Sequence, residues 1–326
     1  MINELRKETI NTLRKTMGTS PEDNVNPDTK FHHGVKGIKV EMVDNSENPY
    51  KNIYEAAVAT WGDERYSRKW DQTPPEGRFE VVKAALSNQT LPQVLETVNF
   101  MFIVRGASRS QFDQHARMRV GATFFSQGVR DNSRAEAGFR MPSELAEMED
   151  TDLRERIEDH VLQGKDLYSE ILKRGRGSYQ SARSILPMGI THNYKWACNL
   201  QALKGYMAQR LQACEQEDTV FVAIATRDAI KEKFPLLASH LKPGCDHAKK
   251  CTYHQAYTLS EMFGCLFKGC GRWPDDNEYA TFNRSSSNYQ HMGHQGGIFL
   301  PRPDVWAEYS DLDSLEVEDL CLFVEA

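Results

Sequence analysis

Five arginines fall between Ser108 and Arg134, in the run SRSQFDQHARMRVGATFFSQGVRDNSR. Guanidinium forks match the geometry of phosphate and carboxylate, so such a cluster is equipped to hold an anion. Arg117 and Arg119 are expected on different sides of a helix end, which suits two anionic ligands. The stretch from Phe125 to Arg130 carries Gly128, and its backbone N–H groups can cradle a phosphate. The plainer alternative is a solvated basic face.

A second constellation lies in His192 to Glu215, whose apolar spacing through Trp196, Leu200, Leu203, Met207 and Leu211 reads as one helix. Asn199, Tyr206 and Arg210 then fall near one face, and Asn199 and Arg210 stand about 16 Å apart along the axis, the length of an extended nucleotide contact. Arg183 precedes Ile185-Leu-Pro187, which holds another arginine at a break in the chain. The alternative for Arg210 is an ion pair with Glu215 or Glu217. A third cluster, Cys245, His247, Cys251 and His254, places soft ligands at spacings that suit tetrahedral zinc. Its alternative is buried cysteines with surface histidines.

These groups sit in a chain of 326 residues with 40 Lys and Arg against 46 Asp and Glu, a net charge of −6. That balance opposes a general nucleic-acid binder but leaves room for a local basic groove. No apolar run reaches the ~18–20 residues of a membrane span. The opening MINELRKETINTLRK lacks the apolar core of a secretory signal, so none is expected. Seven cysteines are too few for a disulfide scaffold, and a reducing, cytoplasmic setting is the expectation.

The elements that must position these residues divide the chain into an N-terminal extension over 1–37, a core over 38–243 and a Cys/His-containing extension over 244–326. Ile38 to Asp44 alternates with period two and reads as a half-buried strand. Asn48-Pro49 opens a helix through Ala59. Thr97 to Arg105 is apolar on both faces and reads as a strand covered on both sides. Ser108 to Arg119 and Asp152 to Arg174 read as helices, the second ended by Gly175 and Gly177. Val220 to Ala225 fits a strand or a helix start equally. Without a regular βαβ repeat, the fold class is α+β: a mixed sheet with long helices.

Over 38–242 the order of motifs resembles the flavin-dependent thymidylate synthases, the ThyX family. Asn48-Pro49 with Ala56-Ala-Val-Ala-Thr60, Glu96 ahead of Asn99-Phe-Met-Phe102, and Ser108-Arg109 followed by Gln114 and Arg117-Met-Arg119 are similar to its opening helix, central strand and R-H-R signature. Phe139-Arg-Met-Pro142, Ala182-Arg183, and Trp196 with Asn199 and Arg210 follow in the family's order. The resemblance implies that Gln114, Arg117, Arg183 and Arg210 bind dUMP, with Arg210 and Arg119 in catalytic positions. Glu96, Arg117, Met118, Arg119, Asn199, Gln201 and Gly205 would stand at the FAD. Met118 replaces the signature's histidine, Gly128-Val-Arg130 stands for its S-x-R with Gly128 and Arg130 toward the nucleotide, and Gln201 and Gly205 replace an arginine and an asparagine.

The resemblance further implies a homotetramer with sites between subunits. It implies one-carbon transfer to C5 of dUMP from methylenetetrahydrofolate, with NADPH as reductant and no protein cysteine as nucleophile. Cys198 and Cys214 read as packed apolar residues. The altered positions keep alternatives open: a dCMP substrate, a hydroxymethyl product, a nucleotide-binding relic without catalysis, or a zinc-stapled interaction protein.

Overall fold

The computed structural model describes residues 31–60, 66–126, 134, 135, 137–175, 177–211 and 215–242. The zinc candidates Cys245, His247, Cys251 and His254 lie outside them, as do Gly128, Arg130 and Cys214. Among the described residues no cluster of His, Cys, Asp and Glu suits a metal ion, and no helix is long and apolar enough to cross a membrane.

Strand β1 (Phe31–His33) is followed by β2 (Lys39–Asn45), α1 (Pro49–Ala59), α2 (Tyr66–Gln72) and α3 (Pro75–Leu86). A 3-10 helix, Pro92–Thr97, leads into β3 (Asn99–Ser108), α4 (Arg109–His115) and β4 (Ala122–Ser126). Then come β5 (Phe139–Met141), the long α5 (Thr151–Lys173), β6 (Thr191–Asn199), α6 (Leu200–Arg210), α7 (Glu217–Lys231) and α8 (Pro235–Ser239). A four-stranded antiparallel sheet has the order β2-β3-β6-β4, and β1 pairs with β5 in a separate parallel ladder. The architecture is α+β. The last residues of the stretch 1–37 join the core through β1.

A cross-strand row holds the sheet together. Phe102 on β3 lies opposite Trp196 on β6, which lies opposite Phe124 on β4. Their rings stack with centroids 5.1 and 6.0 Å apart. Directly opposed aromatic pairs are the unit of sheet stabilisation, each worth about 0.2–1 kcal/mol beyond an alanine pair. The other face of β3 is only half-covered by the described residues, so the expected double coverage is not complete.

The single helix expected over His192–Glu215 is a strand and then a helix. His192, Tyr194, Trp196 and Cys198 are buried at every second position, the period of a strand. The helical stripe arose because strand position 196 happens to be followed by Leu200, Leu203 and Met207, the true inner face of α6. Asn199 marks the switch: as N-cap of α6, its side chain accepts a hydrogen bond from the Ala202 amide at 2.8 Å. Similarly, α4 stops at His115 rather than Arg119, and Val220–Ala225 is helical within α7.

Two buried arginines stitch the loops to the sheet. Arg140 on β5 donates to the carbonyls of Gly106, Gly34 and Lys36 at 2.8, 2.5 and 3.1 Å. Arg134 lies against His192, with Nη2 3.4 Å from Nδ1. Burial, reinforced by Arg134 and Arg109, lowers the His192 pKa from 6.5 to about 3. A base depressed in the folded state destabilises the fold once the unfolded chain takes up the proton. Stability is therefore complete above pH 6.5 and declines as pH falls toward about 3. His192→Phe should pack against Phe112, whose ring centroid is 4.7 Å away, and flatten that acid limb. Urea unfolding near neutrality and midway down the window tests this; parallel losses in variant and parent would refute it.

Candidate active site

Between the end of α4 and the start of α6 the sheet edge opens into a cavity of about 420 Å³. That volume is in the usual small-molecule range of about 300–1,000 Å³. One wall is the turn after α4, where Arg117, Met118 and Arg119 follow Gln114. The other is α6, which contributes Asn199, Gln201, Gly205 and Arg210. Glu96, from the 3-10 helix, closes one rim. Sequence spacing assigned Arg117 and Arg119 to different sides of a helix end; both line this single cavity. Arg183 does not line it and is exposed on its own 3-10 turn, Arg183–Ile185.

Arg109 and Arg134, the other described arginines of the cluster, have structural partners. Arg109 pairs with Asp113 at 2.8 Å and lies over the Phe112 ring. Arg134 is buried beside His192. Arg210 bears out the bland alternative in part, pairing with Glu215 at 2.5 Å and reaching the Gln114 carbonyl at 3.3 Å. A guanidinium has five N–H donors, so the ion pair leaves donors for a ligand as well.

Local geometry explains why these residues meet. Gly121, with φ +69°, turns the chain into β4, and its carbonyl accepts from the Asn199 amide at 2.9 Å. A Cβ there would fall 2.7 Å from Asn199 Nδ2 and 2.9 Å from the Ala202 Cβ. The α6 N-terminus is thus drawn against the turn, and its partial positive charge faces the cavity. Two observations fit a bound ring system along this wall. Gln201 Oε1 is buried with no hydrogen-bond partner among the described residues. Gly205 has open space where a Cβ would stand.

At the floor of the cavity, His115 and Tyr206 belong to a buried polar aromatic cluster; of its members the sequence singles out only Tyr206, on the face it shares with Asn199 and Arg210. Buried His115 lies face to face with Tyr206 at 4.2 Å, and its Nδ1 is 2.8 Å from the Tyr194 hydroxyl. Tyr194 donates its only proton to Gln111 Oε1 at 3.0 Å, so it accepts from His115 Nδ1–H. The ring is therefore the Nδ1–H tautomer. Burial, with Arg210 nearby, holds its pKa well below the ordinary histidine value. His115 stays neutral and does not act as a charged acid. Cys198 is also out of reach of thiolate chemistry, because burial pushes its thiol far above the usual range. A lone histidine on a short helix gives no sequence signal for this placement, since its partner Tyr194 is 79 residues away.

Comparison with known proteins adds three findings. Residues 41–236 match the family described as thymidylate synthase complementing protein. A flavin-dependent thymidylate synthase of Thermococcus onnurineus (strain NA1) is 27% identical over 184 residues, 55% of this chain and 72% of that one. Among solved structures, a UMP/dUMP methylase, PolB, of Streptomyces cacaoi bound with 5-Br dUMP matches with a TM-score of 0.53. It is 18% identical, and the match covers 65% of this chain and 96% of that one; the likeness is one of fold.

The two glycines on the cavity wall should respond oppositely to alanine. Gly121→Ala meets a left-handed backbone and two close contacts, and should lose about 1–3 kcal/mol. Gly205→Ala meets nothing within 4 Å on an exposed helical turn, and should gain about 0.5–1 kcal/mol. Denaturant midpoints measure both; equal effects would contradict this account of the turn.

Proposed function

Because the chain belongs to the thymidylate synthase complementing protein family, matching it over residues 41–236, we propose that it methylates a pyrimidine nucleotide at C5, converting dUMP to dTMP. The observation that carries the reading is the single cavity in which Gln114, Arg117, Arg119, Asn199 and Arg210 meet although they come from segments far apart in sequence. The two relatives support the substrate class: one is named a flavin-dependent thymidylate synthase and the other a UMP/dUMP methylase.

In this reading bound FAD, reduced by NADPH, supplies a hydride, and methylenetetrahydrofolate supplies the carbon. Glu96, Met118, Arg119, Asn199, Gln201 and Gly205 line the wall assigned to the flavin. Gln114, Arg117 and Arg210 hold the nucleotide. Attack from C5 on a one-carbon electrophile is easier when charge developing on the pyrimidine is met by a fixed cation. Arg210, preorganised by Glu215 and the Gln114 carbonyl, is placed to supply it. No protein thiolate is required, consistent with buried Cys198.

Arg183, exposed and outside this cavity, is assigned in this reading to the nucleotide of a neighbouring copy, in the homotetramer and the cytoplasmic setting that the family resemblance implies. Arg130 with Gly128 completes the phosphate contacts. Met118 and Gly205 favour carrying one variant: a weaker hold on flavin, with the exocyclic carbon captured by water to give a hydroxymethyl product, on dUMP or dCMP.

Visible absorbance of the purified protein tests this first. A flavin band that shifts on adding dUMP supports the main reading. No flavin, even after loading with FAD, would reject flavin-dependent methylation. Arg210→Ala should cut turnover by about 10²–10³-fold or more with circular dichroism unchanged. Normal turnover in that variant would remove Arg210 from the chemistry. Met118→His should tighten FAD; unchanged affinity would show that Met118 does not occupy the signature's histidine position.

A further inference from the structure

A chain of hydrogen bonds runs from the cavity wall to a buried carboxyl. Ser108 Oγ donates to Asp218 Oδ2 at 2.5 Å, and the Ser108 amide approaches the same oxygen at 3.4 Å. With Asp218 ionised, Oδ2 can only accept, and it takes both the Ser108 hydroxyl and the Ser108 amide. Ser108 has one hydroxyl proton and has spent it on Asp218. In the 2.8 Å contact between Ser108 and Ser110, Ser110 must then be the donor. With its proton committed, Ser110 Oγ can only accept from Gln216, so the Gln216 atom 3.0 Å away must be Nε2. Gln216 consequently turns Oε1 toward Gln114, which donates Nε2–H to it at 2.8 Å. Each link forces the next, and the usual ambiguity of amide orientation disappears.

Gln114 lines the cavity. One of its two amide N–H groups is held by Gln216, which fixes the orientation of the group, and its Oε1 accepts no hydrogen bond from any described residue. Gln114 therefore holds an oriented carbonyl oxygen with both lone pairs open to a ligand. Gln216 itself is the N-cap of α7 but makes no side-chain cap bond, and glutamine is not among the preferred caps. Its side chain is occupied with orienting Gln114.

We infer that Gln216, anchored through Ser110 and Ser108 to Asp218, is a positioning residue that fixes Gln114 as an acceptor, so that the nucleotide is bound there through a hydrogen-bond donor. This rests on the nucleotide reading of the site. A pyrimidine deoxynucleotide carries two such donors: the sugar 3′-hydroxyl and the imide N3–H of a uracil ring.

The test measures dissociation constants of dUMP, 2′,3′-dideoxy-UMP and N3-methyl-dUMP by equilibrium dialysis with the full-length protein, Gln216→Glu and Gln216→Lys. Glutamate at this position still accepts from Gln114 Nε2, and the Ser110 hydroxyl turns from Ser108 to donate to it, so the anchor is kept with its direction reversed. Lysine donates, so Gln114 must turn its oxygen inward and present –NH2 to the cavity. The parent and Gln216→Glu should bind dUMP about tenfold or more tighter than the analogue lacking the relevant donor. Loss against the dideoxy nucleotide assigns the sugar hydroxyl; loss against the N-methyl nucleotide assigns the base imide. Gln216→Lys should lose that discrimination while remaining folded by circular dichroism. Ser110→Ala, which cuts the anchor without adding charge, should weaken the discrimination as well. Equal binding of all three nucleotides by the parent, or full discrimination by Gln216→Lys, overturns the inference. Failure of the parent to bind dUMP at all overturns the functional reading beneath it, and is distinguishable from either result.

Discussion

The site depends on one conversion, strand to helix at Asn199. β6 carries Trp196 into the centre of the aromatic row and is thereby fixed in the sheet. Three residues later the chain must leave the sheet, and three hydrogen bonds define how. The Asn199 amide donates to the Gly121 carbonyl, its side chain caps the Ala202 amide, and the Leu200 amide donates to the Val98 carbonyl. These bonds tie α6 to the turn before β4 and to the 3-10 segment before β3. The cavity is the space those three junctions enclose, so its two walls cannot move independently.

The same economy appears beneath the cavity. His115, Tyr194 and Gln111 are fully or nearly fully buried, and their hydrogen bonds run in one direction, from imidazole to phenol to amide. A charged histidine would leave this arrangement with a second buried proton and no acceptor for it. Burial therefore keeps the ring neutral, and the positive charge available to a ligand is confined to the arginines at the surface of the cavity. Gln111 Nε2 and His115 Nε2 have no hydrogen-bond partner among the described residues, so the network is satisfied along this one line only.

Much of this was legible from sequence, and the gaps have physical causes. The local signals held where one period dominated: β2 by alternation, α1 from its Asn48-Pro49 start, α5 from its long apolar stripe. They failed at β6, where buried strand positions and the inner face of α6 merge into a run that mimics a single helix. Tertiary burial, not propensity, decides such a segment. The residues Gln114, Arg117, Arg119, Asn199 and Arg210 were legible as a set through the order of the family's motifs, whereas composition alone read as a solvated basic face and a paired Arg210. Their convergence on one cavity was not, since it requires the antiparallel pairing of β3 with β6. Gln216, Ser110 and Asp218 carried no signal at all: each is an ordinary polar residue, and the bond from Gln114 to Gln216 spans 102 positions.

Charge gives the last step. The chain is net acidic at −6, yet Arg117, Arg119 and Arg210 face one cavity whose lining includes the single carboxylate Glu96. A low-dielectric wall with one dominant sign focuses field into the opening and raises the local concentration of anions. Glu215 offsets Arg210, so the field comes mainly from Arg117 and Arg119, both exposed and without ion pairs among the described residues. A nucleoside monophosphate brings about two negative charges. Two arginines match that number but lie on one side of the cavity. In the proposed reading the division of labour follows: exposed arginines draw the phosphate in, while Arg210, held by its carboxylate, is kept for the ring, where position matters more than net charge.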